Sequence, residues 1–444
     1  MLLRAFEILG ILHARGRLAY IAGGAVRDHV LGRRLTDVDI ATDMPLDELA
    51  ALFKTREVGH SKQFDTVVIT HGGLAFEISR LRRGAQERGV PPAEGFDPVL
   101  EDTAHRDFTI NALLMGPDGR VIDLQRGLDD LRNRVVRAVG SPGERFAEDP
   151  ARILRAVRLA AGLDFTIEEH TAAAMAEAAA RLATVAGERI GKEIQKMASP
   201  SGAALAAAIV LMERFGLLGM ILPEVRDLQG LTQPLEWHPE GDAWEHTLAA
   251  LRTAAAADAA VNLAVLLHDV GKRPAHREEN GRDRYGGHDS AGVALVETIA
   301  RRLFLPQRLR AAIAFAVEHH MQAGRLGELR RSLRLTLLGS EHWPVLRAVA
   351  LCDIAARGDG AAVARLEACF CEAEADAAMP GGRRAGQSVI SGTRIMELTG
   401  IAPGPRVGEI QRRVSEWALD NRVEDRVLID AKAVRLAGEC GLPL

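Results

Sequence analysis

Two aspartates separated by a single residue follow a diglycine near the start of the chain. The segment 21–28 reads IAGGAVRD, and Asp37-Val38-Asp39 begins thirteen residues after its second glycine. Because side chains alternate between the faces of a strand, we expect Asp37 and Asp39 on one face, with Val38 in the core. Two adjacent carboxylates repel each other, and a divalent cation between them removes that repulsion. Mg²⁺ is the expected ion, since it favours one or two carboxylates together with phosphate oxygens.

The diglycine supplies a feature that a bound phosphate needs. Gly23 and Gly24 end an apolar run, and a helical pattern begins at Ala25. Backbone N–H groups at a helix start bind phosphate, and glycine lets the phosphate approach closely. Arg27 would add a charge-assisted hydrogen bond. Each motif alone is most simply a turn or surface segment, but at this spacing they predict a site for a nucleoside triphosphate and its metal.

The elements that carry these residues predict an α/β head followed by helices. Helical patterns surround four strand-like segments, at residues 18–22, 37–41, 66–70 and 74–81. Turn residues fill the segment 84–95, which predicts a loop. After Phe146 the strand signals fade and helical periodicity continues to the end, interrupted by a linker-like segment at 379–387.

Composition places the chain among globular proteins of a reducing compartment. The net charge is −4, and hydrophobic and charged residues make up 47% and 26% of the chain, which are ordinary values. No apolar run approaches the roughly 18 residues of a membrane span. Four cysteines without metal-ligand spacing argue against a disulfide framework. We therefore expect a cytoplasmic protein that does not enter a membrane.

Basic charge is concentrated in one stretch. Between Arg132 and Arg158 there are seven arginines and only three acidic residues. A local basic patch can hold a polyanion on a mildly acidic protein. A solvated helix face is the simpler explanation of the same pattern.

The diglycine and aspartate pattern resembles the opening motif of class II nucleotidyltransferases, the tRNA CCA-adding enzymes and bacterial poly(A) polymerases of the polymerase-β-like superfamily. Residues 105–113, HRDFTINAL, are similar to the second motif of that family, RRDFTINAL, with His105 in place of its first arginine. Residues 123–131 resemble the segment that follows, 148–158 the motif that reads the incoming base, and 188–193 the next helical motif.

The resemblance implies a fold and a set of roles. It implies a polymerase-β-like mixed sheet, Asp37 and Asp39 as ligands of two catalytic Mg²⁺ ions, and in-line attack by an RNA 3′-hydroxyl on the α-phosphate of CTP or ATP. A third carboxylate is usual in the superfamily, and Glu77 is the candidate; a salt bridge to Arg80 or Arg82 is the alternative. The nucleotide-binding residues implied are Gly24, Arg27, Arg106, Asp149, Arg152, Arg155 and Arg158, with Gly23, Asp28 and Asn111 as further candidates.

Base selection has its own physical argument. Cytosine and adenine each present an amino donor beside a ring-nitrogen acceptor, so Asp149 could accept from the first while Arg152 donates to the second. Uracil and guanine present the opposite pattern. We expect a helix that begins near Ala147 and places Arg152 and Arg155 on one face. An intrahelical ion pair between Asp149 and Arg152 is the alternative.

Histidines gather in the second half of the chain. An upstream histidine, the segment 266–272 (LLHDVGK) and a later aspartate resemble an HD-domain metal phosphohydrolase. The metal ligands implied are His246, His268, Asp269 and Asp353, with His288 and either His319 or His320 at a second metal or a phosphate. A divalent transition metal or Mg²⁺ would suit these ligands. The resemblance implies trimming of 2′,3′-cyclic phosphates or 2′-phosphates at RNA ends; a helical body that only grips tRNA is the alternative.

These interpretations predict four domains. They are a nucleotidyltransferase head (1–138), a helical neck with the base-reading motif and RNA-binding helices (139–225), a helical body with the HD domain (226–378) and a helical tail (379–444). The expected partners are the tRNA 3′ end, CTP and ATP, without an obligate protein partner.

The product of the reaction stays open at this point. Addition or repair of CCA is the first hypothesis, because the segment 58–67 lacks the paired basic residues of the poly(A) branch. The loop after Glu77 also departs from the CCA consensus, which leaves CC-only and A-only addition open beside polyadenylation. From another class, the head could bind RNA without catalysis and carry a working phosphohydrolase.

Overall fold

The computed structural model describes residues 1–56, 66–81, 97–234, 239–280, 282–379 and 388–439. They divide into two compact units. The first comprises Met1–Glu193 and Ala207–Leu217, and the second comprises Ile194–Ala206 and Leu218–Leu444. The predicted fold class is confirmed, because strands of a mixed sheet occur in the first unit and helices dominate the second.

The sheet of the first unit carries the aspartate motif. Its strands are β1 (Ala19–Ala22), β2 (Asp39–Thr42), β3 (Lys54–Arg56), β4 (Thr66–His71), β5 (Leu74–Arg80), β6 (Leu114–Met115) and β7 (Val121–Ile122). Among the described residues their order is β3-β4-β5-β2-β1-β6-β7. β2 and β5 pair in parallel, whereas the other neighbours pair antiparallel. The predictions for β1, β2, β4 and β5 are confirmed; β3, β6 and β7 were not anticipated.

Helices cover and extend this sheet. They are α1 (Leu2–His13), α2 (Gly24–Val30), α3 (Leu46–Leu52), α4 (Pro98–Ala104), α5 (Gly127–Asn133), α6 (Pro142–Glu148), α7 (Ala151–Leu163) and α8 (Glu169–Ala178). Helix α1 buries Ala5, Ile8 and Leu12, the three- and four-residue spacing of an amphipathic helix. A short parallel pair, β8 (Val135–Val136) and β9 (Thr166–Ile167), flanks α7. The next helices, α9 (Gly187–Ala198) and α10 (Gly202–Arg214), contribute residues to both units.

The described residues of the second unit are helical apart from one hairpin and the connecting segments. Its helices are α11 (Leu218–Ile221), α12 (Pro223–Arg226), α13 (Ala243–Thr253), α14 (Ala259–Leu267), α15 (Lys272–Ala275), α16 (His288–Arg302), α17 (Gln307–Ala323), α18 (Arg331–Leu338), α19 (Trp343–Ala356), α20 (Gly360–Ala378), α21 (Gly392–Thr399), α22 (Pro405–Asp420) and α23 (Arg426–Glu439). The hairpin pairs β10 (Arg277–Glu279) with β11 (Arg282–Arg284), which the expectation of an all-helical body missed.

Helices α21, α22 and α23 share an apolar core that includes Ile395, Val414 and Leu436, so the tail has a packing surface of its own. Among the residues that the structure describes, none of the helices combines the length and the apolar character that crossing a bilayer requires.

Candidate functional site

Two carboxylates lie on one exposed face of the sheet in the first unit, and a third is exposed two residues before the strand that carries one of them. Asp37 and Asp39 are exposed, whereas Val38 and Ile40 are buried, so the predicted alternation is confirmed. Asp39 begins β2 and lies directly opposite Glu77 in the parallel register with β5. Residues opposite each other in register project to the same face of a sheet. The structure therefore adds Glu77, which is also exposed, to the face of Asp39.

A glycine turn connects β1 to α2 beside these carboxylates. Gly23 has a φ of 68°, a left-handed conformation that favours glycine. Its N–H donates to the carbonyl of Leu113 at 3.0 Å, and a Cβ at this position would lie 3.1 Å from Nη1 of Arg106. Gly24 is the first residue of α2, one residue before the helix start that the sequence pattern predicted.

A hydrogen-bonded network fixes Arg27 behind this turn. Arg27 donates from Nε and Nη2 to the carboxylate of Asp28, both at 2.9 Å, and from Nη1 to Oδ1 of Asn111 at 2.7 Å. Asn111 in turn donates to Asp107 at 3.1 Å. Arg106 donates to Asp102 at 2.7 Å and to the backbone carbonyl of Asn111 at 3.4 Å. The candidates Arg27, Asp28 and Asn111 thus form one connected group whose geometry is set by its own side chains.

The base-reading segment departs from the expected helix. α6 ends at Glu148, and α7 begins at Ala151, so the predicted helix start near Ala147 was wrong. Asp149 occupies the break with φ −147° and ψ 96°. The residue before a proline avoids the helical region, because the proline ring crowds its backbone, and Pro150 follows here.

Asp149 and Arg152 have different partners instead of each other. Asp149 accepts from Nη2 of Arg189, on α9, at 2.8 and 3.0 Å. Arg152 is buried and donates to Glu148 at 2.9 Å and to the carbonyl of Arg145 at 3.1 Å. Burial alone raises the pKa of Asp149, but Arg189 outweighs it and the net pKa is lowered. Asp149 is therefore an anionic acceptor, and the predicted alternative, an ion pair with Arg152, is absent from the described contacts.

The remaining arginines of this segment hold the first unit together. Arg155 donates to the buried Asp107 at 2.7 Å, and Arg158 donates to Glu193 at 2.7 Å. Burial alone raises the pKa of Asp107, but the charge of Arg155 lowers it overall. Each of the seven arginines of the basic patch between Arg132 and Arg158 is thus paired with a carboxylate of the same unit.

The second unit brings six potential metal ligands together. His246, His268 and Asp353 form one group and Asp269, His288 and His320 a second; within each group the ligand atoms lie within 4.8 Å of one another. They come from α13, the loop after α14, α16, α17 and α19. We name these six residues the HD cluster. It contains all four predicted principal ligands and His288, and the two carboxylate oxygens of Asp269 face its two groups.

His320, and not His319, belongs to the HD cluster. His320 is buried, with Nε2 3.1 Å from Nε2 of His288. His319 instead packs its ring on Phe315 and pairs with Gln322 at 3.1 Å. Adjacent helix residues point about 100° apart, so only one of the two can face the cluster. Of the two alternatives left open by the sequence, the candidate His319 is therefore replaced by His320.

Backbone carbonyls orient the imidazoles. Nδ1 of His268, His288 and His320 lies 2.7 to 2.9 Å from the carbonyls of Val265, Tyr285 and Val317, respectively. This arrangement fixes the tautomer that leaves Nε2 free to bind a metal. The buried Nε2 of His268 has no hydrogen-bond partner among the described residues, although Asp269 Oδ2 lies 3.2 Å away. A divalent metal ion would satisfy that atom, so the donor set fits a metal.

Close backbone packing brings α16 to the cluster. A Cβ on Gly271 would lie 1.9 Å from the carbonyl oxygen of His288. Only glycine permits that approach without displacement of the backbone. Lys272 then donates to Asp269 at 2.6 Å and Arg357 to Asp353 at 3.2 Å. A cavity of about 660 Å³ opens over Asp269, His288, His320 and Asp353.

The cluster has strongly perturbed acid–base properties. Burial lowers the pKa of His320 to about 4. Burial also opposes charge on His246, but Asp353 and Glu240 outweigh it and raise its pKa to about 9. Asp353 is correspondingly held far below the ordinary pKa, mainly by His246. Such paired shifts within a cavity are typical of a functional site.

Three family models match successive parts of the chain. The model described as "Poly A polymerase head domain" matches residues 19–137, "Probable RNA and SrmB- binding site of polymerase A" matches 164–228, and "HD domain" matches 243–355. The chain is 34% identical to the A-adding tRNA nucleotidyltransferase of Deinococcus radiodurans, over 90% of this chain and 91% of that protein. The chain therefore belongs to the tRNA nucleotidyltransferase family.

Two further similarities, to other members of the tRNA nucleotidyltransferase family, support the same assignment. The multifunctional CCA protein of Alkalilimnicola ehrlichii is 36% identical over 72% of this chain and 78% of its own. The crystal structure of the Bacillus stearothermophilus CCA-adding enzyme in complex with CTP superimposes with a TM-score of 0.70 at 25% identity, covering 98% of each chain.

Some predicted features of this family member lie outside the described residues. The segment 58–67, used to argue against polyadenylation, is described only from residue 66, and the loop 84–95 and Arg82 are not described. Arg189 belongs to a motif that the sequence analysis quoted without giving it a role. Helices α7 and α8 separate Arg189 from Asp149 in the chain, which offered no signal for the contact, because the pairing depends on how α7 and α9 pack.

Proposed function

We propose that this chain adds C, A or both, from CTP and ATP, to the 3′ end of tRNA without a template, in the cytoplasm. The observation that carries the proposal is the register that places Glu77 opposite Asp39, with the exposed Asp37 two residues before Asp39 in the chain. Three exposed carboxylates in this arrangement can hold two Mg²⁺ ions. Family membership supplies the substrate class.

The roles follow from that arrangement. Asp37 and Asp39 would hold the Mg²⁺ ions, whose charge would supply activation of the attacking 3′-hydroxyl and stabilisation of the departing pyrophosphate. Glu77 is proposed as the third carboxylate. Gly23 and Gly24 leave room for the triphosphate, and Arg27, fixed by Asp28 and Asn111, contributes positive charge to it. Arg106 is placed beside the same turn by Asp102.

Base selection is proposed for Asp149 and Arg152. Both oxygens of Asp149 accept from a single nitrogen of Arg189, and Oδ1 also accepts from the N–H of Ala151, so Oδ2 retains a lone pair for the amino group of cytosine or adenine. Arg152 is already ordered by Glu148, which reduces the entropy that base binding would cost. Arg155 and Arg158 support this site through Asp107 and Glu193, and we propose no direct nucleotide contact for either.

Products on truncated tRNAs test the proposal and separate its alternatives. tRNAs ending before CCA, after C and after CC are incubated with CTP, ATP or both, and the 3′ ends are sequenced. Extension of every substrate to CCA supports full addition, and failure of every substrate contradicts the proposal. Comparable extension of an unstructured RNA with ATP would identify a poly(A) polymerase instead. The A-adding relative, which this chain matches along 91% of that protein, favours A-only addition as the second candidate.

We propose a second activity, metal-dependent hydrolysis of phosphate esters at RNA 3′ ends, for the HD cluster. Its six ligands and the cavity above them support it. His246, His268, Asp269 and Asp353 would hold one divalent ion, and Asp269, His288 and His320 a second. A bound metal supplies an activated water and neutralises the phosphate. Metal analysis of the protein as purified, together with release of phosphate from a 2′-phosphorylated RNA end, tests this activity.

A further inference from the structure

One wall of the cavity above the HD cluster carries positive charge from residues outside the cluster. Arg277 and Arg284, on the hairpin β10–β11, both line it. They are direct cross-strand partners in the antiparallel register. Like charges directly opposite each other destabilise a strand pair unless an anion lies between them. Neither guanidinium forms an ion pair with another described residue, and both residues are exposed where they line the cavity.

The other two cations of the cavity are already engaged. Lys272 donates to Asp269 and Arg357 donates to Asp353, which are both members of the HD cluster. Two further carboxylates, Glu279 and Asp289, also line the cavity. Glu279 lies opposite Arg282 in the hairpin register, which places a neutralising charge at the turn end of the hairpin and leaves the arginine pair at its base.

The hairpin is held firmly enough to position its arginines. Asp283 accepts from Nε2 of His276 at 2.6 Å, and the hydroxyl of Tyr285 donates to the carbonyl of Thr232 at 2.6 Å. These contacts anchor both ends of the region that carries Arg277 and Arg284. Because the backbone beneath the pair is fixed, binding of a phosphate between the two guanidiniums orders only their side chains.

We propose that the pair Arg277 and Arg284 binds an internal phosphodiester of RNA while the HD cluster acts on the phosphate of the terminal nucleotide. This inference rests on the phosphohydrolase activity proposed above and names its substrate class: the 3′ end of an oligonucleotide, rather than a free mononucleotide. The cavity of about 660 Å³ falls in the range of sites that enclose a small ligand of this size.

Three ligands separate these possibilities. They are adenosine 2′-phosphate, adenosine 2′,5′-bisphosphate, and the dinucleotide cytidylyl-(3′→5′)-adenosine carrying the same 2′-phosphate. Binding of each to the full-length protein is measured by titration calorimetry in EDTA, and kcat/KM for phosphate release is measured with metal restored. Each ligand is tested with the wild type, the double variant R277Q/R284Q and the control R282Q, which changes an arginine of the same hairpin that does not line the cavity.

The expected result is a preference. The wild type binds the dinucleotide and the bisphosphate at least about tenfold more tightly than the monophosphate, the value of one charge-assisted contact. R277Q/R284Q removes that preference, whereas R282Q retains it. Equal binding of all three ligands by the wild type would overturn the inference, as would a dinucleotide preference that R277Q/R284Q retains.

The test distinguishes this inference from the activity it rests on. If no ligand releases phosphate with metal restored, the proposed phosphohydrolase activity fails, while the affinity ratio in EDTA still decides whether the arginine pair binds phosphate. If phosphate is released with equal kcat/KM from all three ligands, the activity stands and the internal phosphodiester subsite is refuted.

Discussion

The two candidate metal sites differ in how far their carboxylates are exposed to solvent. In the first unit, Asp37, Asp39 and Glu77 are exposed, and the segment Asp37-Val38-Asp39 contains no histidine. In the second unit, Asp269 is 2% exposed and lies between histidines whose Nδ1 atoms are fixed by backbone carbonyls. The first site thus offers exposed oxygen ligands, whereas the second offers buried nitrogen and oxygen ligands.

This difference indicates how each site obtains its metal. Exposed carboxylates alone bind Mg²⁺ weakly, because Mg²⁺ keeps its water, and phosphate oxygens of the substrate complete the coordination. Buried imidazoles with fixed tautomers bind a metal without substrate. We therefore expect the head to bind its ions together with the nucleotide and the HD cluster to retain its ions through purification.

The largest effect is expected from D39N. Loss of the carboxylate removes a ligand of the catalytic ions, which contribute several kcal/mol to the transition state, so nucleotide addition falls roughly 10²–10⁴-fold. Metal content of the HD cluster and phosphate release stay at the wild-type level. Incorporation at the wild-type rate would contradict catalysis by the head and revive the interpretation of an RNA-binding module.

A smaller effect distinguishes the roles of the adjacent residues His319 and His320. H320A removes a ligand from the second metal group and lowers its metal affinity by about 100-fold or more, since even indirect ligand contacts contribute about 10–100-fold. H319A changes a residue that contacts Phe315 and Gln322 and leaves metal content unaltered. Both are measured by metal analysis of the purified proteins. Loss of metal from H319A with retention by H320A would reverse the assignment.

The next largest effect concerns selection of the incoming base. D149N replaces an acceptor with a group that can also donate, so discrimination against UTP relative to CTP weakens by about 1–3 kcal/mol, or roughly 5–150-fold. Single-nucleotide incorporation with each triphosphate measures it. R189Q is the companion variant: it frees Asp149 without removing the acceptor, and we expect most of the selectivity to remain. Unchanged discrimination by D149N would remove Asp149 from the base-reading role.

The smallest effect tests the close packing that forms the HD cluster. G271A places a Cβ against the carbonyl of His288 and lowers the free energy of unfolding by roughly 1–3 kcal/mol, with weaker metal retention. The control G408A lies in α22, where a Cβ meets nothing within 4 Å, and it is expected to be neutral or slightly stabilising. Thermal unfolding of both variants is compared. Equal stability would show that the approach of α16 is not constrained by Gly271.

The sequence predicted local features better than pairings. Alternation around Val38 predicted the shared face of the two aspartates, but the Asp39–Glu77 register depends on a parallel pairing of strands distant in the chain. Three signals were present and missed. Pro150 marks the helix break at Asp149. Asn280-Gly281 is typical of a hairpin turn. The buried stripe that includes Ala316 and Val317 continues at His320, three and four residues on.

Crystals grown with Mn²⁺ and a non-hydrolysable CTP or ATP analogue test the central claim most directly. Anomalous scattering locates Mn²⁺ without assumptions about the nucleotide. The account predicts Mn²⁺ bound to oxygens of Asp37 and Asp39 and to the triphosphate, and in the absence of nucleotide it predicts Mn²⁺ at the HD cluster but not at the aspartates. A bound nucleotide with no Mn²⁺ at either aspartate would contradict it.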